Sequence, residues 1–360
     1  MNKTELTCYL NESVERLIKS VLKETVDNPK ETKFLISQTI SQKHQANLRN
    51  EQEKAERHIP TFLIASITQR CNLHCSGCYS RGRNMCSDKP ISKSLTSDEW
   101  ADIFTQAENL GISFCILAGG EPLLRKDVLE KAAEIKKIVF PVFTNGTLFN
   151  DETTDIFDRY RNLIPILSIE GDSTETNKRR GEGVAEKIEN TIQNLNSKGI
   201  LFGVSITLTK DNYFKILSTN FLNYLEQTGA RIVFLIAYSA TAKDTKQLEL
   251  LDIHRADIQN RLECARKKYR KLWFLSFPGD EEYMGGCLAG GRGFFHISPT
   301  GAAEPCPFSP YSDRNLRNVS LKEALESPLF QKLSLAGLVG GEHDGGCALI
   351  EHEEEVKKLL

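Results

Sequence analysis

The sequence predicts an α/β protein built on a parallel sheet, with a helical segment before it and a small cysteine-rich module after it. Three observations carry this. From Pro60 onward, short runs rich in β-branched and aromatic residues alternate with amphipathic stretches of helical period. Six such runs follow one another, the pattern of consecutive βα units whose crossovers keep neighbouring strands parallel. The alternation stops near residue 240, and the chain beyond 277 turns to Gly, Pro and Cys.

Residues 1–58 are polar, poor in proline and compatible with helix. Val14, Leu17, Ile18, Val21 and Leu22 recur at spacings of three and four, so they share one helical face. That face predicts an arm packed over one end of the main domain. Lys19, Lys23, Lys30 and Lys33 leave open a second role at a partner or membrane surface.

In the core, 59–240, strands are expected at 62–68, 112–118, 138–144, 163–169, 202–209 and 231–238. Helices are expected near 97–110, 126–136, 151–160, 184–198 and 214–227. Six strands are too few for a closed eight-stranded barrel, and periodicity alone does not separate a partial barrel from an open doubly wound sheet. Residues 241–276 read as a helical connector, with a helix over about 250–271, and 277–360 as a second, smaller module.

A chain of 360 residues accommodates one large α/β domain with appendages. Its formal charge of −2 gives no electrostatic footprint for nucleic acid. No run of about 18 apolar residues occurs, and the first residues lack the apolar stretch of a signal peptide, so a cytoplasmic location is expected. Ten cysteines in such a chain point to metal ligation or catalysis rather than to a disulfide scaffold.

Cys71-x3-Cys75-x2-Cys78 follows the first strand directly, at the C-terminal end where parallel α/β folds build their sites. Three close thiolates suit a zinc ion or an iron–sulfur cube. A cube held by three cysteines keeps one iron open to the amine and carboxylate of a small molecule. His74 would complete a zinc site, and a non-catalytic metal-binding assembly protein is the alternative function.

The triad followed by Tyr79 resembles the signature of the radical S-adenosylmethionine (SAM) superfamily. The turn Gly119-Gly120-Glu121-Pro122 resembles its GGEP motif, and Thr144-Asn145-Gly146-Thr147 its polar turn after the third strand. Ser168-Ile169-Glu170-Gly171 resembles the S-x-D-G stretch of peptide-modifying members, with glutamate in place of aspartate. The resemblance implies a partial (β/α)6 barrel, a [4Fe-4S] cluster on Cys71, Cys75 and Cys78, and SAM as the second cofactor. It further implies reductive cleavage of SAM to a 5′-deoxyadenosyl radical that abstracts hydrogen from a substrate C–H bond. Tyr79, Gly119, Gly120, Glu121, Pro122, Thr144, Asn145, Ser168, Glu170, Arg180 and Ser205 are the residues it nominates for SAM, and Arg179 shares the basic pair with Arg180. Ser205 and Thr207 alternate to one face of the fifth strand. A reducing partner such as ferredoxin or flavodoxin is expected.

Cys287 and Cys306 flank a stretch that reads as a β-hairpin, and Cys347 follows near the chain end. This tail resembles the auxiliary-cluster region of the SPASM and twitch subclass, but only Gly345-Gly346-Cys347 remains of a second cysteine run. The resemblance therefore implies one auxiliary [4Fe-4S] cluster on Cys287, Cys306 and Cys347, its fourth ligand being His343, another thiol or the substrate. It favours a peptide or cofactor precursor as substrate. Glu121, Glu170, Arg292 and His296 are nominees for the active-site mouth. Cys115 reads as a core residue, Cys86 as a neighbour of the triad, and Cys8 and Cys264 have no partner spacing.

Overall fold

Strand β1 (Phe62–Thr68) is flanked on both sides within a nine-stranded sheet of order β7-β6-β5-β4-β3-β2-β1-β8-β9. The computed structural model describes residues 3–24, 28–90, 93–240, 243–341 and 347–360. β2 (Phe114–Gly119), β3 (Phe140–Thr144), β4 (Leu163–Ile169), β5 (Gly203–Leu208) and β6 (Ile232–Ala237) follow one another in parallel register. These are the six strands the sequence predicts. The expected helices form at Ser97–Leu110, Lys126–Glu134, Asp151–Arg159, Val184–Ser197 and Thr219–Gln227. The fold is the partial TIM-like barrel implied by the resemblance.

The pleat sorts the strand residues. Leu63, Ala65 and Ile67 of β1, Cys115 and Leu117 of β2 and Val204 and Ile206 of β5 join the outer core with Trp100, Phe104 and Ile188 of the helices. The alternate residues face inward. Each fully buried aliphatic or aromatic side chain contributes about 1.5–3 kcal/mol, so the register of these strands is strongly fixed.

The N-terminal extension closes the underside of the barrel. Helix α1 (Lys3–Glu24) buries Ile18 and Val21 against the inward residues Ile164, Ile166, Ile232 and Phe234, with Val14, Leu17 and Leu22 packed beside them. Helix α2 (Pro29–Lys54) behaves differently. Its buried residues Gln38, Gln42, Gln45 and Arg49 follow helical spacing but are polar. Gln38 donates to Lys136 O (2.8 Å), Gln42 to Ser113 O (3.3 Å), and Gln45 to Glu108 O and Ile112 O (2.9 and 3.0 Å). Arg49 donates to Gly111 O and to Ser113 Oγ. The helix thus adds hydrogen bonds to backbone carbonyls around the turns that lead into β2 and β3, of which Ser113 O and Glu108 O also accept from the backbone. Arg161 clamps Glu31 at the other end at 3.0 Å.

The segment 241–276 holds the expected helix, Asp252–Lys268, and a seventh parallel strand, β7 (Trp273–Phe277), paired to β6, crosses its expected end. Five residues directly behind a basic helix end are too short a run to stand out by periodicity. The hairpin β8 (His296–Ile297) and β9 (Ala303–Glu304) forms, and β8 joins β1 in parallel register. The tail therefore extends the barrel sheet. It also has a core of its own, in which Leu288, Leu329, Leu333, Leu349 and Val356 pack with Leu6 of α1. Among the described residues no helix is long and apolar enough to cross a membrane.

Candidate active site

The triad loop is tied down by backbone contacts from several elements. Cys71 N donates to Ser87 O (3.0 Å), Ser76 N to Arg179 O (2.8 Å) and Cys78 N to Cys75 O (3.2 Å). Arg81 donates to Leu73 O (2.9 Å) and Cys71 O (3.3 Å). Gly77 has φ +67, and a Cβ there would stand 2.8 Å from Tyr238 Oη, so the loop needs glycine at this point. Cys86 lies against Cys71; its hydrogen bond holds the Cys71 thiol well below its ordinary value. His74 is exposed and reaches Asp88 (3.2 Å), away from the triad.

The glycine turn presses on the entry to this loop. Gly120 N donates to Thr68 O (2.7 Å) and Glu121 N to Arg70 O (2.8 Å). A Cβ on Gly119 would lie 2.2 Å from Thr68 O, and one on Gly120 2.2 Å from Arg70 O. The Glu121 carboxylate is buried and accepts from Leu123 N (3.0 Å), Thr144 Oγ1 (2.7 Å) and Asn145 N (2.8 Å). Burial pushes its pKa up to about 7, against these hydrogen bonds. Asn145 in turn donates to Asn72 Oδ1 (2.9 Å) in the triad loop. The third strand end is thereby linked to both motifs.

At the fourth strand end, Glu170 is clamped by Arg179 and Arg180, and Arg179 also reaches Thr207 Oγ1 (2.7 Å). The Arg180 charge lies close enough to favour the Cys75 thiolate, against the burial that raises that thiol.

These parts face one cavity of about 330 Å³. Cys71, Cys75, Cys78, Tyr79, Gly119, Gly120, Glu121, Asn145, Ser168, Arg179, Arg180, Ser205 and Thr207 line it. Cys287, Cys306, Cys347 and Glu281 line it too, with Phe62, Ile64, Ile116, Phe234 and Phe277 as its apolar part. Pro122, Thr144 and Glu170, nominated for SAM, are not on this wall: Thr144 holds Glu121 and Glu170 holds the two arginines. Of the mouth nominees, Arg292 donates to the carbonyls of Met284, Gly286 and Cys287. His296 is buried between Ser66 Oγ and Glu304, at 2.7 Å from each. His343, Gly345 and Gly346 lie outside the described residues. Cys115 is buried in β2, and Cys8 and Cys264 are exposed.

Sequence reasoning missed Tyr238 and Glu281. The Tyr238 hydroxyl is buried on the cavity wall and, like Arg180 Nε, has no hydrogen-bond partner among the described residues. Glu281 was not legible, because Asp280-Glu281-Glu282 looks like a solvated turn. Burial raises the thiols of Cys287 and Cys306 well above the ordinary value and that of Cys347 to about 12. Neutral thiols are the form that can be buried without a cation, and metal ligation would release their protons. Among the described residues no group of three or more His, Cys, Asp or Glu is arranged to hold a single metal ion. The cavity instead presents two separate sets of three thiols.

The half-open barrel thus sets a three-cysteine loop and a glycine turn at the ends of its first two strands. Residues 65–217 match the Radical SAM superfamily. The AdoMet-dependent heme synthase of Methanosarcina barkeri is 27% identical over 324 residues, covering 82% of this chain and 89% of that protein. The sporulation killing factor maturation protein SkfB of Bacillus subtilis is 25% identical over 219 residues, 60% of this chain and 51% of that protein. The crystal structure of Streptococcus suis SuiB bound to S-adenosylmethionine superposes with a TM-score of 0.65 at 20% identity, over 81% of this chain and 72% of that one. That likeness is one of fold.

Proposed function

We propose that the chain is a maturation enzyme acting on a C–H bond of a cofactor precursor or peptide. Cys71, Cys75 and Cys78 hold a [4Fe-4S] cluster, and Cys287, Cys306 and Cys347 hold one auxiliary cluster. The observation that carries this reading is that both sets of thiols line the same cavity, together with the glycine turn. The residues present fit the groups: the donors are thiols, and the Tyr238 hydroxyl and Arg180 Nε, without a hydrogen-bond partner among the described residues, offer polar contacts inside the cavity. When bound, the cluster and SAM would supply the radical chemistry that abstracts hydrogen from a substrate carbon.

The chain's own residues bind and orient. Gly119 and Gly120 let the turn pack directly on the entry to the triad loop, since any side chain there would meet Thr68 O or Arg70 O, and this turn would face the amino group of SAM. Arg180, held by Glu170, is placed to pair with a carboxylate. Phe62, Ile116 and Phe234 exclude water around the reacting carbon. The triad loop is partly exposed, which gives a small electron donor such as ferredoxin or flavodoxin access to it. The heme synthase relative and SkfB supply the substrate classes, a tetrapyrrole cofactor or a peptide.

The test is anaerobic incubation with dithionite and SAM. The wild type forms 5′-deoxyadenosine and Cys75→Ala does not. Equal yields from the two proteins would overturn the reading.

A further inference from the structure

Under the barrel lies a second cavity, of about 510 Å³, with no cysteine on its wall. Phe62, Ile116, Phe234 and Phe277 line both cavities, so these four side chains form the partition between them. Below the partition the wall is made by strand residues such as Phe114, Pro141, Ile164 and Ile232, and by Val14 and Leu17 of α1. Parallel barrels fill their interior with layers of side chains, and close-packed interiors keep few voids larger than a water molecule. A volume of this size falls instead within the range of ligand sites, about 300–1,000 Å³. An apolar wall of this extent is unfavourable when only water covers it, so the cavity suits an apolar occupant.

The edge of the cavity is charged. Arg16 and Ser20 line it one turn apart on α1, and Ser20 Oγ donates to Arg270 O at 3.5 Å, which sets Arg16 and Arg270 at the same edge. Both arginines are exposed. Arg16 donates within its own helix, to Glu12 O (3.4 Å) and Ser13 Oγ (3.3 Å), and neither guanidinium has a carboxylate partner among the described residues. The acid on this wall, Asp280, is taken up by Arg266 at 2.7 and 2.8 Å. An apolar chamber with two uncommitted cations at its edge is complementary to a molecule whose long chain lies inside and whose anionic end stays at the surface.

We propose that this lower cavity binds an amphiphile with a long apolar chain and a compact anionic head, a carboxylate or a phosphate. The chain packs beneath the partition, and Arg16 and Arg270 take the head. The inference does not depend on either cluster.

The test titrates cis-parinaric acid, a fluorescent fatty acid, into the full chain after anaerobic reconstitution and displaces it with oleate, oleyl phosphate and oleyl alcohol. Saturable binding of about one probe per chain is expected, with at least one of the anions displacing it at about tenfold lower concentration than the alcohol. The stronger anion identifies the head. Changing Arg16 and Arg270 together to Ala is expected to weaken probe binding about tenfold, and Val14→Trp, which fills the chamber, about as much. SAM affinity, measured by calorimetry, stays at the wild-type value in the arginine variant, because these residues lie across the partition from the upper cavity. Circular dichroism checks folding; if Val14→Trp does not fold, the arginine variant, altered at exposed positions alone, decides. No saturable binding, equal displacement by the alcohol, or wild-type probe affinity in a folded variant overturns the proposal. So does displacement of the probe by SAM, which would put the probe in the upper cavity.

Discussion

The ring of Tyr79 packs against that of Phe308, with centroids 4.6 Å apart and planes tilted by 46°. Tyr79 follows the third cysteine of the triad, and Phe308 lies two residues beyond Cys306. The two thiol sets are therefore joined by a direct side-chain contact as well as by a shared cavity. Phe308 is half-buried, so Phe308→Ala is expected to cost about 2 kcal/mol of stability, less than a fully buried phenylalanine. Iron content should be unchanged and the product formed per 5′-deoxyadenosine should fall. Urea unfolding, iron analysis and paired quantification of the two compounds check this.

Gly120→Ala places a methyl group 2.2 Å from Arg70 O, a backbone atom that cannot swing aside. The turn must shift, and with it the distance between the glycine wall and Cys71. SAM affinity is expected to fall at least tenfold, about 1.4 kcal/mol, while the iron content stays at the wild-type value. Calorimetric titration of SAM into the reconstituted protein measures it. Unchanged affinity would show that the turn does not face SAM.

Glu170→Gln leaves Arg179 and Arg180 without their shared anion. Breaking a buried charge pair from one side costs about 3–5 kcal/mol, and the clamp here is partly exposed at Arg179, so about 3 kcal/mol is expected. SAM binding should weaken through loss of the Arg180 position. Thermal unfolding and SAM titration separate the two effects.

Glu31, clamped by Arg161, is pushed up to about 7 by burial, with the arginine partly opposing. A carboxyl whose folded-state pKa exceeds its unfolded value holds its proton more tightly in the native protein. Its stabilising contribution is therefore complete below about pH 4.5 and is lost as pH rises to about 7, at no more than about 1.4 kcal/mol per pH unit. Glu121 and Glu281 act in the same direction, so Glu31→Gln should reduce the slope rather than abolish it. Urea unfolding of metal-free protein at about pH 5 and about pH 7 checks this; equal slopes in wild type and variant would contradict it.

The barrel strands were legible as short runs of β-branched and aromatic residues set between amphipathic helical stretches, as in Phe62 to Thr68. The triad and the glycine turn were legible because their spacing is fixed by one loop and one turn. Helix α2 carried no periodic apolar signal, since its buried face is Gln38, Gln42, Gln45 and Arg49 bonded to carbonyls. Strand β7 is too short for a pattern. The displacement of Thr144 and Glu170 from the cavity wall to a supporting position, and the entry of Glu281, depend on which residues meet across the fold. Local spacing does not encode that.

Iron and sulfide analysis after anaerobic reconstitution tests most directly the proposal that two thiol sets serve two clusters beside one cavity. The prediction is about eight irons with matching sulfide in the wild type. About four are expected when Cys71, Cys75 and Cys78 are all changed to Ala, and about four when Cys287, Cys306 and Cys347 are. Stoichiometric zinc with little sulfide in the wild type, or an iron content that the second triple variant leaves unchanged, would contradict it.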